Sequence, residues 1–306
     1  MAALASTTVQ IDTQHDDLVH DTALNYYGTT LATASSDRTV RIYEVGATYV
    51  HTGSITCHTG PVWEVSWSHP KYGTLLASCS FDGLTCIHRE SPSRTWNTIH
   101  SHCMKEEERS SVNSVEWSPH EFGLHLAAGS ANGSISILTH LSDDSWEAAS
   151  FLDSPLGTNA VRWAPYKGVG IMELVTGGCD NKVRVWTNSD GNWNCNQNIL
   201  NPNGPTHTDW VRDVAWRPVN SGVDVIASGS EDNKVIIWSR EGETWSTTVL
   251  KDFGEPVWRV SWSVTGNILA VSSGDDHVSL WKETDNGWTE VSDVKEENQQ
   301  NGGGEN

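Results

Sequence analysis

The chain has 306 residues, enough for one large domain or two ordinary ones. Its 39 acidic residues against 19 basic give a net charge of −20, which repels a phosphate backbone or an anionic lipid surface at long range, so direct binding to nucleic acid or insertion into membrane is not expected. Met1 to Thr8 lacks the basic and apolar regions of a secretory leader, and no apolar run approaches the roughly 18 residues of a membrane span.

The six cysteines include no C-x-x-C pair, and a chain this long does not need a disulfide framework, so they read as reduced thiols of a cytosolic protein. The 16 tryptophans against four phenylalanines imply that something repeats a tryptophan.

From the N-terminus, the first segment with strand character is Thr8 to Gln14, followed by an alternating stretch from Leu18 to Tyr26. Leu31-ATASSDRTVRIY then reads as a strand, a tight turn and a second strand, and this unit recurs. Its later copies are Leu76-ASCSFDGLTCIH, Leu126-AAGSANGSISIL, Val175-TGGCDNKVRVW, Ile226-ASGSEDNKVIIW and Leu269-AVSSGDDHVSLW. Each is preceded by a period-two strand: Val62 to Trp67, Val112 to Trp117, Asn159 to Trp163, Val211 to Trp216 and Val257 to Trp262. Each is followed by an outer strand opening on Trp96, Trp146, Trp193, Trp245 or Trp288, with that of the fourth copy expected to run to Leu200.

The turn acids Asp37, Asp82, Asp180, Asp232 and Asp275, with Asn132 in the third copy, recur every 43 to 52 residues, the period of a four-stranded propeller blade. An aspartate there accepts hydrogen bonds from nearby backbone N–H groups. The expected fold is an all-β, six-bladed WD-repeat propeller over residues 1–291, with a disordered polar tail over 292–306.

Blade six owns an outer strand at Trp288 to Val291, which leaves the strand containing Val9 and Ile11 without a home. Two arrangements fit this pattern. In one, the ring is open between blades six and one, and a partner adds most of a seventh blade by strand addition. Tyr26, Tyr43, Trp262 and Trp281 would then be exposed beside the gap as anchors. Replacing both Tyr43 and Trp281 by Asp is expected to abolish partner capture and leave the free propeller folded. In the other, the first strand completes blade six, the ring is closed, and Trp288 to Val291 frays.

Other features weigh less. His100, His102 and Cys103 form an H-x-H-C cluster with no fourth ligand in view, and the acidic doublets Asp16-Asp17, Asp143-Asp144 and Asp275-Asp276 lack calcium-loop spacing, so no metal or other cofactor is expected. No nucleophile elbow, P-loop or dinucleotide fingerprint occurs, which argues against an enzyme. Asn132-Gly133-Ser134 reads as a turn, the Met104-KEEERSS run as a solvated loop, and the recurring tryptophans as packing between blades.

The strings His20-Asp21 with Tyr26-Tyr27-Gly28, Gly60-PVWEVSWSHPKYGTLLASCSFDG, Ser111-VNSVEWSPHEFG, His207-TDWVRDVAW and Pro256-VWRVSWSVTGNILAVSSGDDHVSLWKE carry more. Over about Ile11 to Val291 the chain closely resembles the small WD-repeat subunit of the COPII vesicle coat, a family whose members in many eukaryotes are also scaffold nucleoporins. The resemblance implies an open propeller whose seventh blade is inserted by a larger α-solenoid partner. That partner is the other outer-cage subunit in the coat and a Y-complex nucleoporin in the pore. It implies a location at endoplasmic-reticulum membranes, their export vesicles and the nuclear envelope. WD-repeat propellers also join the turn acid to a histidine, a hydroxyl and the final tryptophan, a role that would fall here to Asp232, His207, Ser228 and Trp238. His88-Arg89 and Asn132 depart from this pattern and imply weaker ties in blades two and three. The rival reading is a closed adaptor or substrate receptor that binds peptides at its top face; a second rival, the paralogous nucleoporin propeller, serves the pore alone.

Overall fold

Strict alternation of apolar and polar residues, broken by Ser-Asp-Gly turns, produces short antiparallel strands joined by hairpins. The structure, a computed structural model, describes residues 11–103, 109–168, 170–189, 191–200, 202–218, 222–274, 277–285 and 287–294. Val9, the 104–108 part of the charged loop, Asp275, Asp276 and the tail after Val294 lie outside the described residues.

Six four-stranded antiparallel sheets form the blades, each built in chain order. Blade one is β1 (Val19–Leu24), β2 (Thr30–Ser35), β3 (Val40–Val45) and β4 (Tyr49–Ile55). Blade two is β5 (Val62–Trp67), β6 (Leu75–Ser80), β7 (Leu84–Glu90) and β8 (Trp96–Cys103). Blade three is β9 (Val112–Trp117), β10 (His125–Ser130), β11 (Ser134–His140) and β12 (Trp146–Leu152). Blade four is β13 (Thr158–Trp163), β14 (Met172–Gly178), β15 (Val183–Ser189) and β16 (Asn192–Cys195). Blade five is β17 (Val211–Trp216), β18 (Asp224–Ser230), β19 (Lys234–Glu241) and β20 (Thr244–Asp252). Blade six is β21 (Val257–Trp262), β22 (Leu269–Ser273), β23 (His277–Thr284) and β24 (Gly287–Val294).

Three boundaries differ from the sequence reading. The described part of the N-terminal segment, Ile11 to Gln14, is not a strand: Gln14 has φ 53°, which breaks an extended run. The outer strand of blade four stops at Cys195, and a single helical turn, Gln197–Leu200, buries Ile199 in the core between blades four and five. β24 runs on to Val294, so Ser292 to Val294 belong to blade six rather than to a tail.

The recurring turn is explained by its hydrogen bonds. The acid accepts from the N–H two residues on, as in Asp37 with Thr39 (2.9 Å), Asp82 with Leu84 (2.9 Å) and Asp232 with Lys234 (3.0 Å). The intervening residue has φ near 70–80° (Arg38 70°, Gly83 82°, Asn233 69°), a conformation that the fixed acid helps to hold. Asn132 keeps the same bond, its Oδ1 2.9 Å from Ser134 N. The amide therefore loses the charge of an aspartate but keeps its geometry.

Blades pack face to face, and the side of each sheet is set by parity. In blade five, Trp238 faces blade four, in a core with Val175, Val183 and Val185. Its neighbours Val235 and Ile237 face blade six, in a core with Leu269, Val271 and Trp281. The same rule places Ala32, Val40 and Ile42 of blade one against Val62, Val65 and Leu76 of blade two.

Along the inner strands, β1, β5, β9, β13, β17 and β21 pack in series, and this packing is not repeated between β21 and β1. Blade six shows the consequence. The residues that face the next blade are buried in blade one (Val40, Ile42), blade three (Ile135, Ile137), blade four (Val183, Val185) and blade five (Val235, Ile237). Their counterparts in blade six are not: Val278 is 37% exposed and Leu280 is only half-buried. The propeller is open, with six blades and a gap between the sixth and the first.

Candidate functional site

The gap has two unlike walls. On blade six, Ser261 pairs with Ala270 and Ala270 with Leu280, which puts these residues on the face that points away from blade five. Val278 and its cross-strand partner Ser272 share this face, on which Val278, Ala270 and Leu280 are the apolar residues among serines, and Val291, 50% exposed at the bulge of β24, lies beside it.

On blade one, Leu24, Leu31 and Tyr43 align across β1, β2 and β3, as do Thr22, Thr33 and Arg41. This wall is partly covered by the chain's own N-terminal segment. The Tyr43 hydroxyl donates to the Thr13 carbonyl, and Arg41 Nη1 donates to the same oxygen at 3.3 Å. His15 bridges Asp37 (Nδ1, 2.7 Å) and Thr33 (Nε2, 2.7 Å). Leu24, at 56% exposure, is left uncovered.

The residues singled out from sequence therefore divide. Tyr43 lies on the gap face but is 2% exposed under the Thr13 segment, and Ile11 is half-buried two residues before Thr13. Trp281 is 6% exposed and packs on blade five, its Nε1 donating to Ser279 Oγ at 2.8 Å. Trp262 also faces blade five, donating to the Ala215 carbonyl at 3.1 Å. Tyr26 is exposed, but at one mouth of the central channel, edge-on to His69 of blade two at 5.0 Å. The expectation that Trp262 and Trp281 line the gap is thus corrected. The final tryptophan of a repeat faces the preceding blade, so the residues facing the gap are those of opposite parity, Val278 and Leu280.

The sequence reading also missed Arg259. In blades one, two and five, the third residue of the inner strand is an acid that accepts from a backbone N–H of the next blade. Asp21 takes Val65 N at 3.0 Å, Glu64 takes Val115 N at 2.8 Å, and Asp213 takes Val260 N at 3.1 Å. Ser114 does the same in blade three for Val161 N, at 3.1 Å. Blade six has no next blade to donate, and its residue at this position is Arg259, a pure donor. Arg259 reaches across the gap instead, 3.3 Å from Glu64 and 3.8 Å from Asp21. Arg162 completes the cluster inside the channel, 2.6 Å from Glu64 and 3.2 Å from Asp213. Burial pushes Asp21 up to about 6, although Arg259 opposes the shift, and burial likewise pushes Glu116 up to about 7. Glu64 is held below its usual range, the two arginines outweighing its burial.

Within single blades, side-chain networks tie the turn acid or its substitute to the sheet. In blade five, His207 Nδ1 lies 3.0 Å from Asp232, its Nε2 2.7 Å from Ser228 Oγ, and Trp238 Nε1 donates to the same oxygen at 2.7 Å. Blade one has an equivalent in His15, Thr33 and Asp37, with Tyr43 in place of the tryptophan. His15 precedes Asp37 by 22 residues, close to the 25 between His207 and Asp232, and that spacing was the available signal. Blade four uses Asp153 in place of the histidine, accepting from Thr176 and Trp186. The H-x-H-C residues do not converge: His100 stacks on Trp146, and His102 bonds Ser136 on blade three at 3.3 Å.

Residues 6–44, 49–89, 200–239 and 246–282 match the family described as WD domain, G-beta repeat. The chain is 39% identical to the Protein SEC13 homolog of Drosophila melanogaster over 94% of this chain and 84% of that one. It is 41% identical to the protein transport protein SEC13 of Yarrowia lipolytica, over 94% of this chain and 100% of the relative. It is also 41% identical to the sec13 protein of Aspergillus fumigatus, over 91% and 96%.

Proposed function

Since the chain belongs to the SEC13 family of WD-repeat proteins, we propose that it is a non-catalytic scaffold subunit of the COPII outer cage and of the nuclear-pore Y-complex. It binds a larger α-solenoid protein that donates a seventh blade. The observation that carries this reading is the unfilled blade-six face, where Val278 and Leu280 stand open at positions buried in neighbouring blades. A donated sheet placed there buries that face and meets Leu24 and the Thr13 segment on the other wall, so one insertion satisfies both. The mechanism is blade-face packing with no bond made or broken. The rigid ring stiffens an elongated partner that must bear membrane curvature.

In this reading the protein is peripheral on endoplasmic-reticulum membranes and vesicles, and at the nuclear envelope. Among the described residues no helix is long and apolar enough to cross a membrane, and the partner supplies membrane proximity. The test is purification of the tagged chain from its native cells with quantitation of what accompanies it. One large α-solenoid protein at one to one supports the proposal. Small substrates or ligase subunits in its place would favour the top-face adaptor and overturn it.

A further inference from the structure

Blade two departs from blade five at the position of its final tryptophan, and the departure is chemical as well as steric. His88 stands where blade five has Trp238, and Cys86 stands two residues before it, where the other blades carry Arg41, Ser136, Arg184, Ile236 and Ser279. Cys57 immediately precedes the network histidine, His58; the corresponding residues are Gln14 in blade one and Thr206 in blade five. Relative to blade five, two thiols and one imidazole thus replace Thr206, Ile236 and Trp238, beside a histidine that both blades share. All four residues are buried or half-buried, with His88 at 0% and Cys86 at 1% exposure.

The side chains converge. One donor atom each from Cys57, His58 and Cys86 lies within 4.8 Å of the other two. His88 Nε2 adjoins them, 3.8 Å from Cys57 Sγ. Both imidazoles are held by Nδ1, His58 on Asp82 at 3.1 Å and His88 on Thr98 Oγ1 at 3.1 Å. Both therefore turn Nε2 inward, each 2.8 Å from Ser78 Oγ. A carboxylate on the far nitrogen of an inward-facing histidine is the outer-shell arrangement of metal sites, where it fixes the tautomer and raises ligand basicity. Ser78 accounts for the two imidazoles without a metal, with His88 N–H standing in for the tryptophan N–H. It does not account for two thiols placed beside them.

We propose that Cys57, Cys86 and His58, with His88 as the adjoining fourth donor, form a binding site for a thiophilic cation of the zinc type at the blade-two face that meets blade one. Two thiolates and two neutral imidazoles cancel the charge of a divalent ion, which suits a buried position. In a tetrahedral site with Zn–S about 2.3 Å and Zn–N about 2.0 Å, donors lie about 3.3 to 3.8 Å apart, so the Cys57, His58 and Cys86 atoms, within 4.8 Å of one another, need to draw together by at most about 1 Å, with His88 closing on them. Binding releases the thiol protons, and any proton on either Nε2, to solvent, and Ser78 gives up its bonds to the two rings.

The probe is Co²⁺, added to the purified, reduced full-length chain and then displaced by Zn²⁺. The site gives one equivalent of cobalt per chain, with the intense visible bands of tetrahedral geometry and near-ultraviolet sulfur-to-cobalt charge transfer, all lost on adding zinc. Cys57→Ser combined with Cys86→Ser abolishes the charge-transfer band. His88→Trp restores the blade-five set of side chains and so guards against misfolding; it weakens cobalt binding by at least about 100-fold, since loss of an outer-shell partner alone costs about 10- to 100-fold. Absence of the bands in the unaltered chain, or their persistence in the double serine variant, would overturn the proposal.

Discussion

If the gap face of blade six receives a partner, Leu280 and Trp281 must behave in opposite ways although they are adjacent in sequence. Leu280 is half-buried on the open face, whereas Trp281 is 6% exposed against blade five. Changing Leu280 to Asp removes part of a leucine's burial from the free chain, about 1 kcal/mol, and lowers Tm by only about 2–4 °C. In the complex, the same change loses the remaining leucine contact and desolvates a carboxylate without a partner. Together these come to about 3 kcal/mol, or roughly a 100-fold loss of affinity. Trp281→Ala removes a buried indole for about 3–5 kcal/mol and lowers the Tm of the free chain by about 10 °C, while affinity measured well below that Tm changes only a few fold. The assays are thermal melts of the free chain and titration with the partner's blade-donating segment. If Leu280→Asp binds normally while Trp281→Ala melts normally and fails to bind, the assignment of faces is reversed and the account of the gap fails.

Arg259→Gln should lower Tm by a few degrees, because half-buried Asp21 and buried Glu64 lose a cation across the gap; hydrogen exchange at β1 should rise, and an unchanged β1 would show that Arg259 does not hold that strand. Trp238→Phe leaves Ser228 Oγ without its indole donor and should cost about 1–3 kcal/mol in a melt of the free chain. In blade two, burial works against the Asp82 carboxylate, but His58 and the Thr59 and Leu84 N–H groups outweigh it and hold its pKa at about 2. Because the folded value is below the unfolded one, this stabilisation is present above about pH 4 and lost as pH falls toward 2, about 2 kcal/mol in all. Asp82→Asn should flatten the acid limb of a stability–pH profile, and an unchanged limb would refute the assignment.

The repeat was legible because turn chemistry and strand alternation leave marks that survive substitution. A side chain must accept from the N–H two residues on, so Asp37, Asp82 and Asp232 recur, and Asn132 fills the same place with the same bond. The direction of blade packing leaves no such mark. Alternation says that Leu280 and Trp281 point to opposite sides of the sheet but not which side meets blade five, and a one-residue error exchanges the two faces. Alternation alone is therefore equally consistent with Trp262 and Trp281 lining the gap, which the packing on blade five excludes. A subtler mark did exist in the inner strands: a column of Asp21, Glu64, Ser114 and Asp213, interrupted by Ala160 in blade four, that ends in Arg259, an acceptor position turned donor where no next blade supplies an N–H. His15 leaves little mark in the sequence because it sits between strand-like segments, after Gln14 with its positive φ. The Cys57, His58, Cys86 and His88 cluster was invisible as a motif because its members come from two separate segments, brought together only by the pairing of β6 with β7 and the loop before β5.

The most direct test of the gap as the partner site is a photo-reactive side chain at Val278, compared with one at Tyr26, irradiated in living cells. Val278 lies on the open wall at 37% exposure, and Tyr26, at 68%, lies at the channel mouth. The account predicts an adduct at Val278 with one large α-solenoid protein, mapping to a β-rich segment of that protein, and little at Tyr26. Adducts with small peptides or substrates at Tyr26, and none at Val278, would contradict it.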